Sequence, residues 1–133
     1  AARAYAARAA AALPSAANGV TPSDLVLIGV GVDGHCLSVF PGSPLAAPDA
    51  PIAGAVAAPT HIEPHLPRLS FSLKILASAR SVLPLAIGAA KAEVVARIID
   101  GREPVTTLPA KAALIPTATW LLDAAAASRL TGR

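Results

Sequence analysis

Aromatic and charged residues are both scarce in this sequence. Of its 133 residues, 3% are aromatic and 14% are charged. A nucleic-acid-binding surface needs clustered Lys and Arg with aromatic side chains among them, so no nucleic-acid partner is expected despite the formal net charge of +3. That charge is compatible with a small anionic ligand.

The sequence also has a single cysteine and lacks long apolar runs. Cys36 is the single cysteine, so no disulfide can form within the chain. An unpaired cysteine suits a reducing compartment, and we expect a cytoplasmic protein. No apolar run reaches the roughly 18 residues of a membrane-spanning helix, so no membrane association is expected. Because 54% of the residues are hydrophobic, the chain has enough apolar content for a core. From the length of 133 residues we expect one domain, or part of one, over 1–133.

The apolar residues follow the pattern of strands that alternate with helices. Strands are predicted at 24–30, 52–57, 68–72, 81–87 and 112–115, helices at 1–13, 73–79, 88–100 and 120–130, and a loop at 15–23. The run that opens at Leu25 is apolar without interruption, which is typical of a strand buried on both faces. Pro84 instead favours an edge strand or a bulge. The alternation predicts an α/β fold, a mostly parallel sheet covered by helices on both faces.

The first candidate for chemistry follows the strand at 24–30, where Asp33-Gly34-His35 comes after two glycines. Ligands of open α/β sheets bind beyond the carboxyl ends of the strands. An imidazole can exchange a proton near neutral pH, and a carboxylate two residues away can orient it. The alternative is a plain turn in which Asp33 caps the next residues and His35 lies on the surface.

Two cationic residues are candidates for binding an anion. Lys91 follows Gly88 by three residues at a predicted strand-to-helix junction, where free N–H groups and a lysine attract phosphate. An exposed lysine without a ligand is the alternative, and the motif alone favours it. Arg68 begins a predicted strand and either reaches an anion or pairs on the surface.

The other histidines and the cysteine are predicted to have no role in chemistry. His61 and His65 lie four residues apart, but Pro64 between them prevents a helical metal pair, so both are predicted to be solvent-exposed loop residues. Cys36 has no separate base beside it and is predicted to pack in the interior.

Four ordered motifs resemble those of the 6-phosphogluconolactonase family. Residues 29–42 read GVGVDGHCLSVFPG and resemble the family signature. They are followed by PHLPRLSFSLKILASAR at 64–80, GAAKAEVV at 88–95 and ATWLLDAAAA at 118–127. The Ser-Gly-Gly phosphate loop and the Gly-Asp-Glu-Arg segment of that family's first half do not occur in this sequence. The resemblance therefore implies the C-terminal half of a Rossmann-like, three-layer α/β/α fold.

The resemblance also implies an activity, the hydrolysis of 6-phospho-D-glucono-1,5-lactone to 6-phosphogluconate in the pentose phosphate pathway, without a metal or another cofactor. By match to the motif, His35 is expected to be the general base and Asp33 to shape or polarise the site. Lys91 is expected to hold the phosphate of the sugar-phosphate substrate, with Arg68 a weaker candidate. The oligomeric state stays open.

The donors for the developing oxyanion are a separate expectation. Backbone N–H groups near Gly31 and Gly34 are the candidates for this role.

Two other functions stay open at this point. The related glucosamine-6-phosphate isomerases/deaminases carry a glutamate five residues after the histidine, followed by proline. Here Phe40 precedes Pro41, and a phenyl ring cannot relay a proton, which favours the lactonase. The second alternative is a non-catalytic module that binds a sugar phosphate.

Overall fold

The computed structural model describes residues 1–12 and 23–132. Its helices are α1 (Ala2–Ala12), α2 (Lys74–Ser78) and α3 (Ala92–Ile99), and its strands are β1 (Val26–Gly29), β2 (Ala53–Val56), β3 (Arg68–Phe71), β4 (Val82–Ala86) and β5 (Leu121–Leu122). The end of the predicted helix 1–13 and nearly all of the predicted loop 15–23 lie outside the described residues.

The described strands form a parallel sheet and a separate antiparallel pair. The parallel sheet has the order β1-β4-β5, and β2 pairs with β3 in antiparallel fashion. The register of β1 on β4 runs from Val26 opposite Val82 to Gly29 opposite Leu85. The predicted α/β fold with a mostly parallel sheet is confirmed.

Helix α3 covers one face of the parallel sheet. Gly88 takes a φ of 93°, a conformation that suits glycine, and a 3-10 turn at Ala89–Lys91 then leads into the helix. Val94, Val95 and Ile98 recur at helical spacing and are buried in one core cluster with the sheet residues Ile28 and Val82. The predicted helix at 88–100 is therefore confirmed, with its regular part at Ala92–Ile99.

The opposite face of the parallel sheet carries exposed apolar side chains. Leu27 is 62% exposed, Ile87 60% and Leu121 41%. The registers of β1 on β4 and of β4 on β5 place Leu27 and Leu121 on the same face, and Ile87 directly follows β4. The prediction that the first strand is buried on both faces is therefore wrong for the described residues. Both faces of the strand are apolar, but only the face that carries Ile28 is covered.

Pro84 does not mark an edge strand. Strand β4 lies between β1 and β5 in the described sheet. On the side of β4 that faces β5, Val82 pairs with Ala118 and Leu85 pairs with Leu121. Pro84 lies between these two pairings and has no pairing partner on that side. A central strand tolerates proline there because no ladder hydrogen bond needs its missing N–H.

The two last elements predicted from the sequence are wrong. The predicted strand at 112–115 is replaced by a 3-10 helix over Pro109–Ala113. Pro109 begins this helix, a position where the missing N–H of proline is not needed. The predicted helix at 120–130 is replaced by β5 and a series of turns. Leu121 and Leu122 pair with β4, and the indole N–H of Trp120 donates to the Ala113 carbonyl at 3.1 Å. These tertiary bonds outweigh the helix propensity of the alanines.

Within the described residues, none of the helices has both the length and the apolar content that crossing a membrane requires.

Candidate active site

A tight turn directly after β1 folds the predicted catalytic residues back over the sheet edge. The Gly31 N–H donates to the His35 carbonyl at 2.8 Å, and the Gly34 N–H donates to the Gly31 carbonyl at 3.0 Å. Gly34 has a φ of 84°, and a Cβ there would come within 2.5 Å of the Leu108 side chain. Glycine at 34 is therefore needed both for the turn and for the approach of Leu108.

Asp33 and His35 form a hydrogen-bonded pair inside this turn. His35 Nδ1 lies 2.6 Å from Asp33 Oδ1, and the side chains are 19% and 16% exposed. The His35 backbone N–H also donates to Asp33 Oδ1, at 3.1 Å. An ionised carboxylate only accepts hydrogen bonds, so Nδ1 carries the proton and Nε2 of the neutral ring is left to accept one.

His61 joins this pair from the other side of the carboxylate. Its Nε2 donates to Asp33 Oδ2 at 2.8 Å. Burial raises the pKa of the Asp33 carboxyl, but the hydrogen bonds from His61 and from His35 outweigh burial and bring the pKa below its usual value. His61 is exposed, as the sequence predicts, but its bond to Asp33 was missed because nothing in the loop sequence encodes that contact across 28 residues.

Phe40 packs between the two imidazoles. Its ring centroid lies 4.6 Å from that of His35 and 5.8 Å from that of His61. The Arg68 guanidinium lies 5.3 Å from the Phe40 centroid and donates to the Pro64 carbonyl at 2.9 Å. Arg68 is thus placed at the border of the site, over the aromatic ring, and forms no ion pair with the residues that the structure describes.

Lys91 and His35 face the same crevice. This crevice has a volume of about 390 Å³ and lies at the carboxyl end of β1, with residues 27–31 as one wall. Lys91 Nζ donates to the Val30 carbonyl at 2.6 Å. An ammonium group has three N–H donors, so two remain for a ligand in the crevice.

The Gly88 N–H, which directly precedes the 3-10 turn before α3, is not available to a ligand in the crevice. The Gly88 N–H donates to both carboxylate oxygens of Asp123, at 3.0 and 3.1 Å. The hydrogen bonds from the Ala126 and Gly88 N–H groups hold the pKa of Asp123 below its usual value. Any anion near the crevice would therefore meet the charge of Lys91 rather than the N–H of Gly88.

The predicted oxyanion donors are engaged in the turn itself. The N–H groups of Gly31 and Gly34 both donate to carbonyls within the turn. Neither N–H is therefore free to stabilise a ligand oxygen in this conformation.

Cys36 is fully buried, and burial raises the pKa of its thiol to about 12. The prediction that this cysteine packs in the interior is confirmed. Across residues 1–12 and 23–132, no three His, Cys, Asp or Glu side chains are grouped in a way that could hold a metal ion.

Comparison with known proteins places this site in a family. The sequence model of the family described as glucosamine-6-phosphate isomerases/6-phosphogluconolactonase matches residues 1–121. The chain belongs to this family. The resemblance drawn from the four sequence motifs is thereby confirmed.

Curated members of the glucosamine-6-phosphate isomerase/6-phosphogluconolactonase family match most of the chain. The 6-phosphogluconolactonase of Rattus norvegicus is 38% identical over 112 residues, which are 81% of this chain and 41% of that protein. The 6-phosphogluconolactonase of Streptomyces coelicolor is 36% identical over 132 residues, which are 98% of this chain and 49% of that protein. The chain therefore spans less than half the length of these relatives.

Solved structures of the family share the fold. A 6-phosphogluconolactonase from Trypanosoma brucei superposes with a TM-score of 0.81 at 28% identity, covering 97% of this chain and 52% of that one. A monomeric glucosamine-6-phosphate deaminase superposes with a TM-score of 0.68 at 24% identity, covering 80% of this chain and 48% of that one. Both branches of the family have this fold, so the fold does not choose between their reactions.

Proposed function

We propose that this chain carries the general base and a phosphate contact of a 6-phosphogluconolactonase, which hydrolyses 6-phospho-D-glucono-1,5-lactone to 6-phosphogluconate. The observation that supports this most is the placement of His35, held by Asp33 through Nδ1, in the same crevice as Lys91. A base and an anchored phosphate are the main needs of lactone attack.

In the proposed reaction, His35 Nε2 takes a proton from water as the water oxygen bonds to the lactone carbonyl carbon. Asp33 stabilises the imidazolium that forms, because its carboxylate is ionised and lies 2.6 Å from Nδ1. The tetrahedral intermediate then breaks the bond from the carbonyl carbon to the ring oxygen. That oxygen receives a proton from the imidazolium and leaves as a hydroxyl group, which gives the open acid.

Lys91 is proposed to hold the phosphate with the two N–H donors that the Val30 carbonyl does not use. Arg68 is a secondary candidate, since its guanidinium lies over Phe40 at the border of the site.

Phe40 favours the lactonase over the amino-sugar-phosphate isomerase/deaminase. The centroid of its ring lies 4.6 Å from that of the His35 ring, and its side chain has no group that can move a proton. Hydrolysis needs one base near the carbonyl, whereas isomerisation requires proton transfer between carbons.

The proposal also covers the extent of the domain, the pathway, the cellular location and the absence of a nucleic-acid partner. We treat residues 1–133 as one α/β half-domain, and a lactonase role carries with it the pentose phosphate pathway. The lone cysteine supports a cytoplasmic location, and the scarcity of aromatic and charged residues supports the lack of a nucleic-acid partner.

The test is a chimera that joins the first half of the Streptomyces coelicolor relative to this chain. We expect the chimera to consume 6-phospho-D-glucono-1,5-lactone and to leave glucosamine 6-phosphate unchanged. Turnover of glucosamine 6-phosphate would support the isomerase/deaminase instead. Tight binding of 6-phosphogluconate without turnover of either compound would support a non-catalytic module.

Substituting Lys91 by glutamine tests the phosphate contact in the same chimera. Loss of a charge-assisted hydrogen bond costs about 1.5–3 kcal/mol, so KM for the lactone is expected to rise roughly 10- to 100-fold with a smaller change in kcat. Lys74→Gln at the start of α2 removes the same charge outside the crevice and serves as the matched control. Equal KM values for the two variants would exclude Lys91 from the phosphate site.

A further inference from the structure

We infer that His61 is a positioning residue of this site, which fixes Asp33 so that its other oxygen stays on His35. The inference rests on the proposed function. Asp33 Oδ2 meets His61 Nε2 at 2.8 Å, and Asp33 Oδ1 meets His35 Nδ1 at 2.6 Å. One carboxylate thus bridges two imidazoles, and the two bonds together fix its rotation about the Cβ–Cγ bond.

The loop that carries His61 is held by its own bonds. His65 Nδ1 donates to the Pro59 carbonyl at 2.7 Å, which closes the loop over six residues. Arg68 donates to the Pro64 carbonyl at 2.9 Å and fixes the other end of the loop. His61 lies within the segment 59–65 that the His65 bond closes, so the loop presents its imidazole to Asp33 in a set position.

Phe40 adds a second constraint on His61. The rings of His61 and Phe40 meet edge to face, with an interplanar angle of 81°. The same Phe40 ring packs on His35 at 4.6 Å. A change at His61 therefore affects the catalytic imidazole through the carboxylate and through the aromatic ring.

Without His61, Asp33 Oδ2 faces water and the carboxylate gains freedom to rotate. The His35 Nδ1 bond then becomes less populated, and the ring loses its set orientation. Glutamine places an N–H donor at the distance of a histidine Nε2, so His61→Gln preserves the bond that His61→Ala removes. The pair of variants separates the hydrogen bond from mere loss of the side chain.

The first measurement needs no activity and is made on the chain itself. The chain has three histidines, so the imidazole N–H signals in a nitrogen-labelled sample are few enough to assign. We expect the His35 Nδ1 proton of the parent protein to be protected from exchange with water. In His61→Ala its exchange is expected to accelerate at least about 10-fold, and in His61→Gln to remain within about 2-fold of the parent.

Glu63→Gln is the matched control in this loop, since the Glu63 side chain is 81% exposed and bonds only to His65 among the described residues. It should leave the His35 Nδ1 proton protected. Equal protection in His61→Ala and in the parent would overturn the inference, whatever the chimera does with the lactone.

The second measurement uses the chimera. His61→Ala is expected to lower kcat on the order of 10-fold with KM unchanged within about 2-fold, less than the 100-fold that a 1 Å misplacement can cost. His61→Gln should restore kcat to within about 2-fold of the parent. A fall in kcat that glutamine does not restore would contradict positioning through this bond. If the parent chimera has no turnover, the proposed function fails while the exchange result still decides the role of His61.

Discussion

Replacing His35 by glutamine is expected to lower kcat for lactone hydrolysis by about 100- to 10,000-fold, the usual contribution of a general base. The loss follows from the geometry of the Asp33 pair, which leaves Nε2 as the one ring nitrogen able to accept a proton from water. Glutamine keeps a polar side chain of similar reach but has no nitrogen of suitable basicity. Lactone disappearance in the chimera measures the effect.

Binding of 6-phosphogluconate is the internal control for His35→Gln. Its Kd should stay within about 3-fold of the parent value, because the phosphate contact is assigned to Lys91 on another element. Unchanged turnover in His35→Gln would exclude the imidazole as the base and with it the proposed mechanism.

Gly31→Ala is expected to have an effect of similar size, although glycine contributes no chemistry. A Cβ at this position would come within 2.0 Å of His35 Nδ1 and 2.6 Å of Asp33 Oδ1. These distances are far below contact, and the obstacle lies on the pair itself. The imidazole has to move away from the carboxylate, so kcat is expected to fall about 100-fold or more.

Gly29→Ala is the matched control for Gly31→Ala. A methyl group there meets no atom within 4 Å, so the same change in composition leaves the His35–Asp33 bond intact. Protection of the His35 Nδ1 proton should be lost in Gly31→Ala and kept in Gly29→Ala. Protection in both variants would show that the turn adjusts without moving the pair.

The parts of the fold that could be predicted from the sequence are those in which local pattern and burial agree. The helix at 88–100 could be predicted because Val94, Val95 and Ile98 repeat at helical spacing, and the structure buries these three side chains. The first strand was recognised from its apolar run, which also led to the wrong expectation of two covered faces. An apolar sequence shows what a strand can bury and does not show what packs on it.

The prediction of a helix at 120–130 was wrong because local propensity and distant contacts disagree there. Its alanines have high helix propensity, but propensity amounts to only tenths of a kcal/mol per residue. Asp123, which sequence pattern places in a helix, accepts hydrogen bonds from Gly88 and Ala126 instead. These partners include a residue 35 positions away, which no local window contains.

In the candidate site, too, the local contact could be predicted from the sequence and the long-range contact could not. Asp33 and His35 are two residues apart, and a turn after a strand suffices to predict their meeting. His61 reaches Asp33 only because the loop at 59–67 folds back over Phe40, and that path depends on the bonds of His65 and Arg68. Local sequence patterns do not encode such a path, so the contact of His61 with Asp33 is visible only in the folded structure.

The burial of Cys36 has a practical consequence for all of these variants. The thiol follows His35 directly, is 0% exposed, and is the single cysteine of the chain. A thiol-specific reagent can therefore modify the native protein only when the turn that holds Asp33 and His35 opens, so the rate of modification measures how often that turn opens. This modification rate is measured without substrate. It therefore distinguishes a variant whose turn opens more often from a variant that has lost only its activity.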